Sequence, residues 1–222
     1  ENMQVLVIGG GGREHALVWK IKQSPKVEKI FCAPGNAGIA EIAENIPIAA
    51  DDIDNLLEFA VKNDIGLTVV GPEQPLVKGI VDLFEEKGLR IFGPNARAAE
   101  LEGSKSFSKD IMKKYGLPTA EYKTFNSANS AAEYIKIKNC PLVVKADGLA
   151  AGKGVIIAET IQEAFEAVDD IFNGQFGAAG TELVIEEFLI GEEVSFFVLT
   201  DGKNILPFGT AQDHKRVGEG DI

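Results

Sequence analysis

Residues 4–8 form a near-continuous buried-strand pattern, Gly9, Gly10, Gly11 and Gly12 follow at once, and residues 13–20 then take up helical spacing. A strand that passes through a glycine turn straight into a helix opens a parallel α/β sheet, because parallel neighbours need a crossover. Residues 31–33, 67–70 and 90–92 read as further buried strands, with helices over 54–63 and 74–87. Such alternation predicts a parallel sheet with helices on both faces. Ligands of these sheets lie beyond the carboxyl ends of the strands, which singles out the loops 9–12, 34–38 and 71–75.

A dinucleotide site fails on two counts. Counted from Gly9, the last glycine of G-x-G-x-x-G is Glu14, and counted from Gly10 it is His15. The second strand ends Cys32-Ala33-Pro34-Gly35, with no acidic residue for a ribose. The glycine turn still suits a single phosphate at the first helix's N-terminus, with Arg13 beside it. The same glycines equally suit tight strand-to-helix packing.

After Glu102-Gly103-Ser104 the chain changes character. Residues 104–115 read as a helix carrying Lys105, Lys109, Lys113 and Lys114, closed by Gly116-Leu117-Pro118. Lys105 falls in the first turn, where the helix dipole gives a cation no help; a partner anion from elsewhere, or solvent, must satisfy it. A helix from about 127 to 137 leads into two β-branched strands, 142–145 and 155–158, joined by a loop with Gly148, Gly152 and Gly154 between Lys145 and Lys153. Glycines let backbone amides approach an anion, and two lysines add charge, so the natural guest is a polyphosphate. The Walker motif does not fit, since three residues separate Gly148 from Gly152-Lys153, Gly154 replaces its Ser or Thr, and a strand follows. A flap between antiparallel strands fits better; a plain glycine-rich hairpin with solvated lysines is the alternative. An acidic helix spans 160–171.

Residues 182–200 hold the other informative stretch. Val184, Ile185, Phe188 and Leu189 would make an apolar surface, and Gly191 breaks the strand before another begins. An adenine ring needs apolar walls plus one carbonyl and one N–H, which a strand passing between domains offers. Glu193, just beyond, could accept from two ribose hydroxyls. A plain sheet strand with a solvated acidic end is the competing reading.

Composition bounds these readings. The formal net charge of −12 and pI near 4.7 argue against nucleic acid or an acidic membrane surface as partner, so any phosphate site must concentrate positive charge locally. Cys32 and Cys140 lie far apart without metal-ligand spacing, which fits reduced thiols of a cytoplasmic protein. No apolar run approaches the ~20 residues of a membrane span. Glu1-Asn2 ahead of Met3 looks like a tag remnant.

The order Gly103-Ser104-Lys105, then Val144-Lys145-Ala146-Asp147-Gly148 through Gly152-Lys153-Gly154, then Glu186-Glu187-Phe188-Leu189 through Glu193, resembles the ATP-grasp superfamily. With Gly9 to Ala16, Ala33-Pro34-Gly35-Asn36, Gly71-Pro72-Glu73 and Gln212-Asp213-His214-Lys215-Arg216, the chain is similar to the phosphoribosylamine–glycine ligase family from Met3 onward. The resemblance implies an α/β fold: a Rossmann-like, parallel-sheet pre-ATP-grasp domain over 1–103, followed by an incomplete ATP-grasp α+β module. Its core would take 104–123 and 192–222, its lid 124–191.

The same resemblance implies site residues. Lys105 and Lys145 would touch the ATP phosphates, and the flap with Gly148, Gly152, Lys153 and Gly154 would close over them. The backbone at Glu187, Phe188 and Leu189 would bind adenine, Glu186 would belong to the same ATP site, and Glu193 would hold the ribose. Gly10, Gly11, Gly12, Arg13, Pro72 and Glu73 would face 5-phosphoribosylamine; Asp213 and Lys215 would line the glycine and ribosylamine pocket. The implied reaction forms glycyl phosphate from glycine and ATP, and the amine of phosphoribosylamine then displaces phosphate. No enzyme nucleophile is needed and no catalytic side chain is assigned, His15 and His214 suiting positioning. Mg2+, or Mn2+, is implied with ligands beyond Ile222, and a monomer or weak dimer. The alternatives are another ATP-grasp carboxylate–amine ligase, or a nucleotide-binding fragment without turnover.

Overall fold

β1 (Met3–Gly9) is the middle strand of the N-terminal sheet in the computed structural model, which describes residues 2–148, 154–174, 182–212, 214 and 218. Its neighbours β2 (Val27–Pro34) and β4 (Ile65–Val70) run parallel to it, and short β3 (Glu44–Asn45) and β5 (Ile91–Phe92) complete the parallel order β3-β2-β1-β4-β5. Strand alternation divides β1 between two cores. Leu6 and Ile8 pack with Leu56 of α3 (Ile53–Lys62) and Phe84 of α5 (Ile80–Glu86) on one face. Val5 and Val7 pack with Val18 of α1 (Gly12–Ile21) and Ile39 of α2 (Ala37–Ala40) on the other. Helices on both faces are what the sequence pattern predicts.

The single helix expected over 74–87 is two. α4 (Glu73–Val77) ends at Lys78, and Gly79 adopts a left-handed φ of 87° before α5 begins. A lone glycine inside a helical period looks tolerable in sequence, but here it turns the chain so that Ile80, Val81 and Phe84 can meet the sheet.

α6 (Ala96–Gly103) and α7 (Lys105–Lys114) lead to a four-stranded antiparallel sheet ordered β6-β9-β7-β8, from β6 (Tyr122–Phe125), β7 (Leu142–Ala146), β8 (Val155–Ala158) and β9 (Leu183–Glu187). α8 (Ala128–Lys138) and α9 (Ile161–Phe172) cover one face, over a core that includes Leu142, Val144, Ile171, Leu183 and Ile185. Ser127 caps α8, and Thr160 with Glu163 forms a capping box on α9, which is why both helices start where they do.

Among the described residues β10 (Val194–Thr200) and β11 (Ile205–Gln212) pair only with each other. Their apolar side chains are exposed on both sides of the ribbon, Phe196, Phe197 and Phe208 among them. A two-stranded ribbon buries too little for independent stability. Among the described residues no helix is long and apolar enough to cross a membrane.

Candidate functional site

The two sheets meet across a cavity of about 880 Å³. One wall is the carboxyl end of the parallel sheet, the other the uncovered face of the antiparallel sheet with α7 against it. Lys105, Lys145, Gly148, Gly154 and Glu186 line it together with Arg13, Pro72 and Glu73, so predicted phosphate and substrate residues converge on one space.

The first wall is set by glycines packed around a carboxylate. Glu14, in the first turn of α1, is only 4% exposed. Its Oε2 accepts from the Gly11 N–H at 2.6 Å. A Cβ at Gly71 would stand 2.0 Å from Glu14 Oε1, and one at Gly9 2.5 Å from its Cγ. The tight-packing reading of the glycine turn therefore holds for Gly9, Gly71 of the third loop packs against the same carboxylate, and Glu14 already uses the Gly11 amide at the helix N-terminus. Gly10 lies so close to Gly35 that a Cβ would come within 2.6 Å of its carbonyl, and Asn36 donates to Gly10 O at 2.9 Å, tying the second loop to the first. Arg13 points outward and pairs with Glu73 at 3.0 Å. That bond raises the guanidinium's pKa and lowers the Glu73 carboxyl's. Burial, with the Glu14 charge, pushes the Cys32 thiol up to about 11, so it is a core thiol and no nucleophile.

The second wall follows from strand alternation. In β7, Leu142, Val144 and Ala146 enter the core under α8 and α9, which turns Lys145 to the opposite face. Register pairs Val143 with Glu186 and Lys145 with Val184, so Lys145 and Glu186 are diagonal neighbours on that face. Glu186 Oε2 accepts from Lys145 Nζ at 3.0 Å and from Lys109 Nζ, on α7, at 2.9 Å. Lys109 also donates to Thr119 Oγ1 at 2.7 Å.

Asp147 joins the hairpin to α7. Its carboxylate accepts from Ser104 Oγ, Ser106 N and Ser106 Oγ at 3.1, 3.1 and 2.9 Å, and from Lys105 N, placing an anion at the helix N-terminus. Burial pushes this carboxyl up, but the hydrogen bonds from Ser106, Ser104 and Lys105 outweigh it and hold it below the usual carboxylate range. Lys105 Nζ donates to Gly148 O at 2.8 Å, which answers the question of what satisfies a first-turn lysine. Burial, helped by the Lys145 charge and opposed by Asp147, lowers its pKa.

Val184 and Ile185 do not form the apolar wall expected of them. Adjacent strand residues face opposite ways, and both are fully buried, Ile185 in the helix-covered core. Phe188 is half-buried and Leu189 exposed; Glu187 uses its N–H on Glu121 O and its carboxylate on Glu121 N. Gly10, Gly11, Gly12, Glu187, Phe188, Leu189 and Glu193 are not among the described cavity-lining residues. Gly152, Lys153, Asp213 and Lys215 lie outside the described residues. Sequence reasoning assigned no role to Glu14, Lys109 or Asp147. For Lys109 a signal existed: it stands four residues after Lys105, on the same helical face.

A cleft edged by lysines suits a polyphosphate. Among the described residues no group of three or more His, Cys, Asp or Glu could hold a metal ion.

The sequence model of the family described as phosphoribosylglycinamide synthetase, N domain, matches residues 3–102, and that of its ATP-grasp (A) domain matches 103–222. The chain is 58% identical over 222 residues to a phosphoribosylamine–glycine ligase of Pasteurella multocida, covering 99% of this chain and 52% of the relative. Among solved structures, the phosphoribosylamine–glycine ligase of Thermotoga maritima superposes with a TM-score of 0.80 at 32% identity, over 99% of this chain and 52% of that one. The biotin carboxylase domain of Hydrogenobacter thermophilus 2-oxoglutarate carboxylase, solved with MgADP and bicarbonate, gives 0.78 at 21% identity, over 97% and 52%, a likeness of fold. The chain spans about half the length of the curated relatives it matches.

Proposed function

Since the chain belongs to the phosphoribosylglycinamide synthetase family, we propose that it serves the ATP-dependent ligation of glycine to 5-phosphoribosylamine, giving glycinamide ribonucleotide, ADP and phosphate. The observation that carries this reading is the convergence of Lys105 and Lys145 with Arg13, Pro72 and Glu73 on one cavity. The lysine wall would take the ATP phosphates under the flap that holds Gly148, Gly152, Lys153 and Gly154, and the glycine-loop wall, Gly10 to Arg13 with Pro72 and Glu73, would take the ribosylamine. The adenine falls to the backbone from Glu187 to Leu189, with Glu186 also in the ATP site, the ribose to Glu193, and glycine to the region of Asp213 and Lys215.

In this reaction a carboxylate is a poor electrophile. Transfer of the γ-phosphoryl group to glycine gives an acyl phosphate and ADP; attack by the amine then releases phosphate and forms the amide. Lysines beside the transferring group stabilise its charge, and a closed cavity keeps water from the acyl phosphate. ATP is proposed with Mg2+, or Mn2+, as its metal. We also propose the division into an N-terminal substrate domain (1–103), a lid (124–191) and the start of the ATP-grasp core (104–123 with 192–222), acting as a monomer or weak dimer. The free thiols of Cys32 and Cys140 support a cytoplasmic setting.

The test is ADP release by the protein with glycine and phosphoribosylamine, against other acid and amine pairs. Release that depends on both substrates is expected. Release driven by a different pair, with glycine ignored, would assign the chain to another carboxylate–amine ligase of the superfamily.

A further inference from the structure

The lysine wall contains a group that the proposed reaction does not use. Lys109 is deeper than Lys145, its side chain 11% exposed against 25%, and both ammonium groups share Glu186 Oε2. Thr119 Oγ1 takes a second Lys109 N–H. Lys109, which also lines the cavity, therefore spends two of its three N–H donors on the protein, whereas Glu186 is the partner of Lys145 among the described residues.

Charge makes this arrangement more than a buried pair. A carboxylate facing one lysine is neutral and attracts an anion poorly. One carboxylate facing two lysines leaves a net positive charge, and the more exposed ammonium, that of Lys145, presents it to the cavity. We propose that Lys109 is a positioning residue for an anion site: by taking up Glu186 it leaves the positive charge of Lys145 uncompensated toward a polyphosphate that Lys109 itself does not touch. This rests on the reading that the cavity takes a nucleotide triphosphate.

The experiment measures, by calorimetry on the 222-residue chain, the affinities for ATP and for adenosine, and takes their ratio as the phosphate contribution. Wild type is expected to favour ATP strongly. K109M should lower the ratio about tenfold, the scale of one unit charge acting across about 10 Å at an effective dielectric constant of about 20, and K109R should restore it. The double variant K109M/E186Q, which removes cation and anion together, should also restore it, an outcome that loss of packing would not produce. Should K109M fail to fold, E186Q alone carries the test, with a ratio raised above wild type. A wild-type chain that does not distinguish ATP from adenosine would overturn the nucleotide reading and this proposal with it. Clear discrimination by wild type, with K109M unchanged or the double variant as weak as K109M, would overturn the role of Lys109 alone.

Discussion

The two walls of the cavity use the same chemical pair to different ends. On the glycine wall Arg13 meets Glu73 at 3.0 Å, and on the lysine wall Lys145 meets Glu186 at 3.0 Å. Arg13 is two-thirds exposed; Glu186 is buried. An exposed pair exchanges one set of hydrated charges for another and adds little to stability, so it is free to break when a ligand arrives. A buried carboxylate between two ammonium groups has no such freedom, because removing any member leaves uncompensated charge out of water. The rigid part of the glycine wall is instead Glu14 and the glycines around it.

The contrast predicts a graded series of effects. Glu186→Ala should have the largest, lowering stability by about 3–5 kcal/mol, read as a shifted urea midpoint; a midpoint near wild type would show that the lysines find other partners. Gly71→Ala comes next, at about 1–3 kcal/mol, because its new methyl needs the place held by Glu14. An unchanged midpoint there would mean that Glu14 can leave its seat at little cost. Asp147→Asn should cost about 1 kcal/mol. The folded-state pKa of Asp147 lies below its ordinary value, so its stabilisation is present above about pH 4 and is lost as pH falls through the folded value. The stability gap between Asp147→Asn and wild type should accordingly close in acid; a gap that persists would refute the assigned charge. Arg13→Gln should change stability by less than about 0.5 kcal/mol, and a larger loss would break the comparison itself.

The parallel sheet was legible because buried strands and helices carry strong periods, and the hairpin because β-branched runs flank its glycines. β6 and β11, with the short α2, α6 and β3, were not assigned. β6 is four residues long and takes its place from pairing with β9, while β11 depends on β10. Lys105 and Lys145 were legible from motif order. Glu186 was singled out in sequence and the structure brings it to the cavity, but its lysine partners depend on which face of β9 it occupies and on the packing of α7 there. Glu14 and Asp147 are short-range neighbours of assigned residues, yet each acts through a loop or helix remote in sequence: Gly71 for the one, Ser104 to Ser106 for the other.

Asp147 has a mechanical consequence. It fastens the end of β7 to the first turn of α7, while Glu186 fastens the middle of α7 back to β7 through Lys109 and Lys145. Strand and helix are thus bolted at two points, and a rod held at two points cannot rotate about either. The backbone segments that carry Lys105, Lys109 and Lys145 are thereby tied to one another, so the spacing of the three lysines is set by the fold.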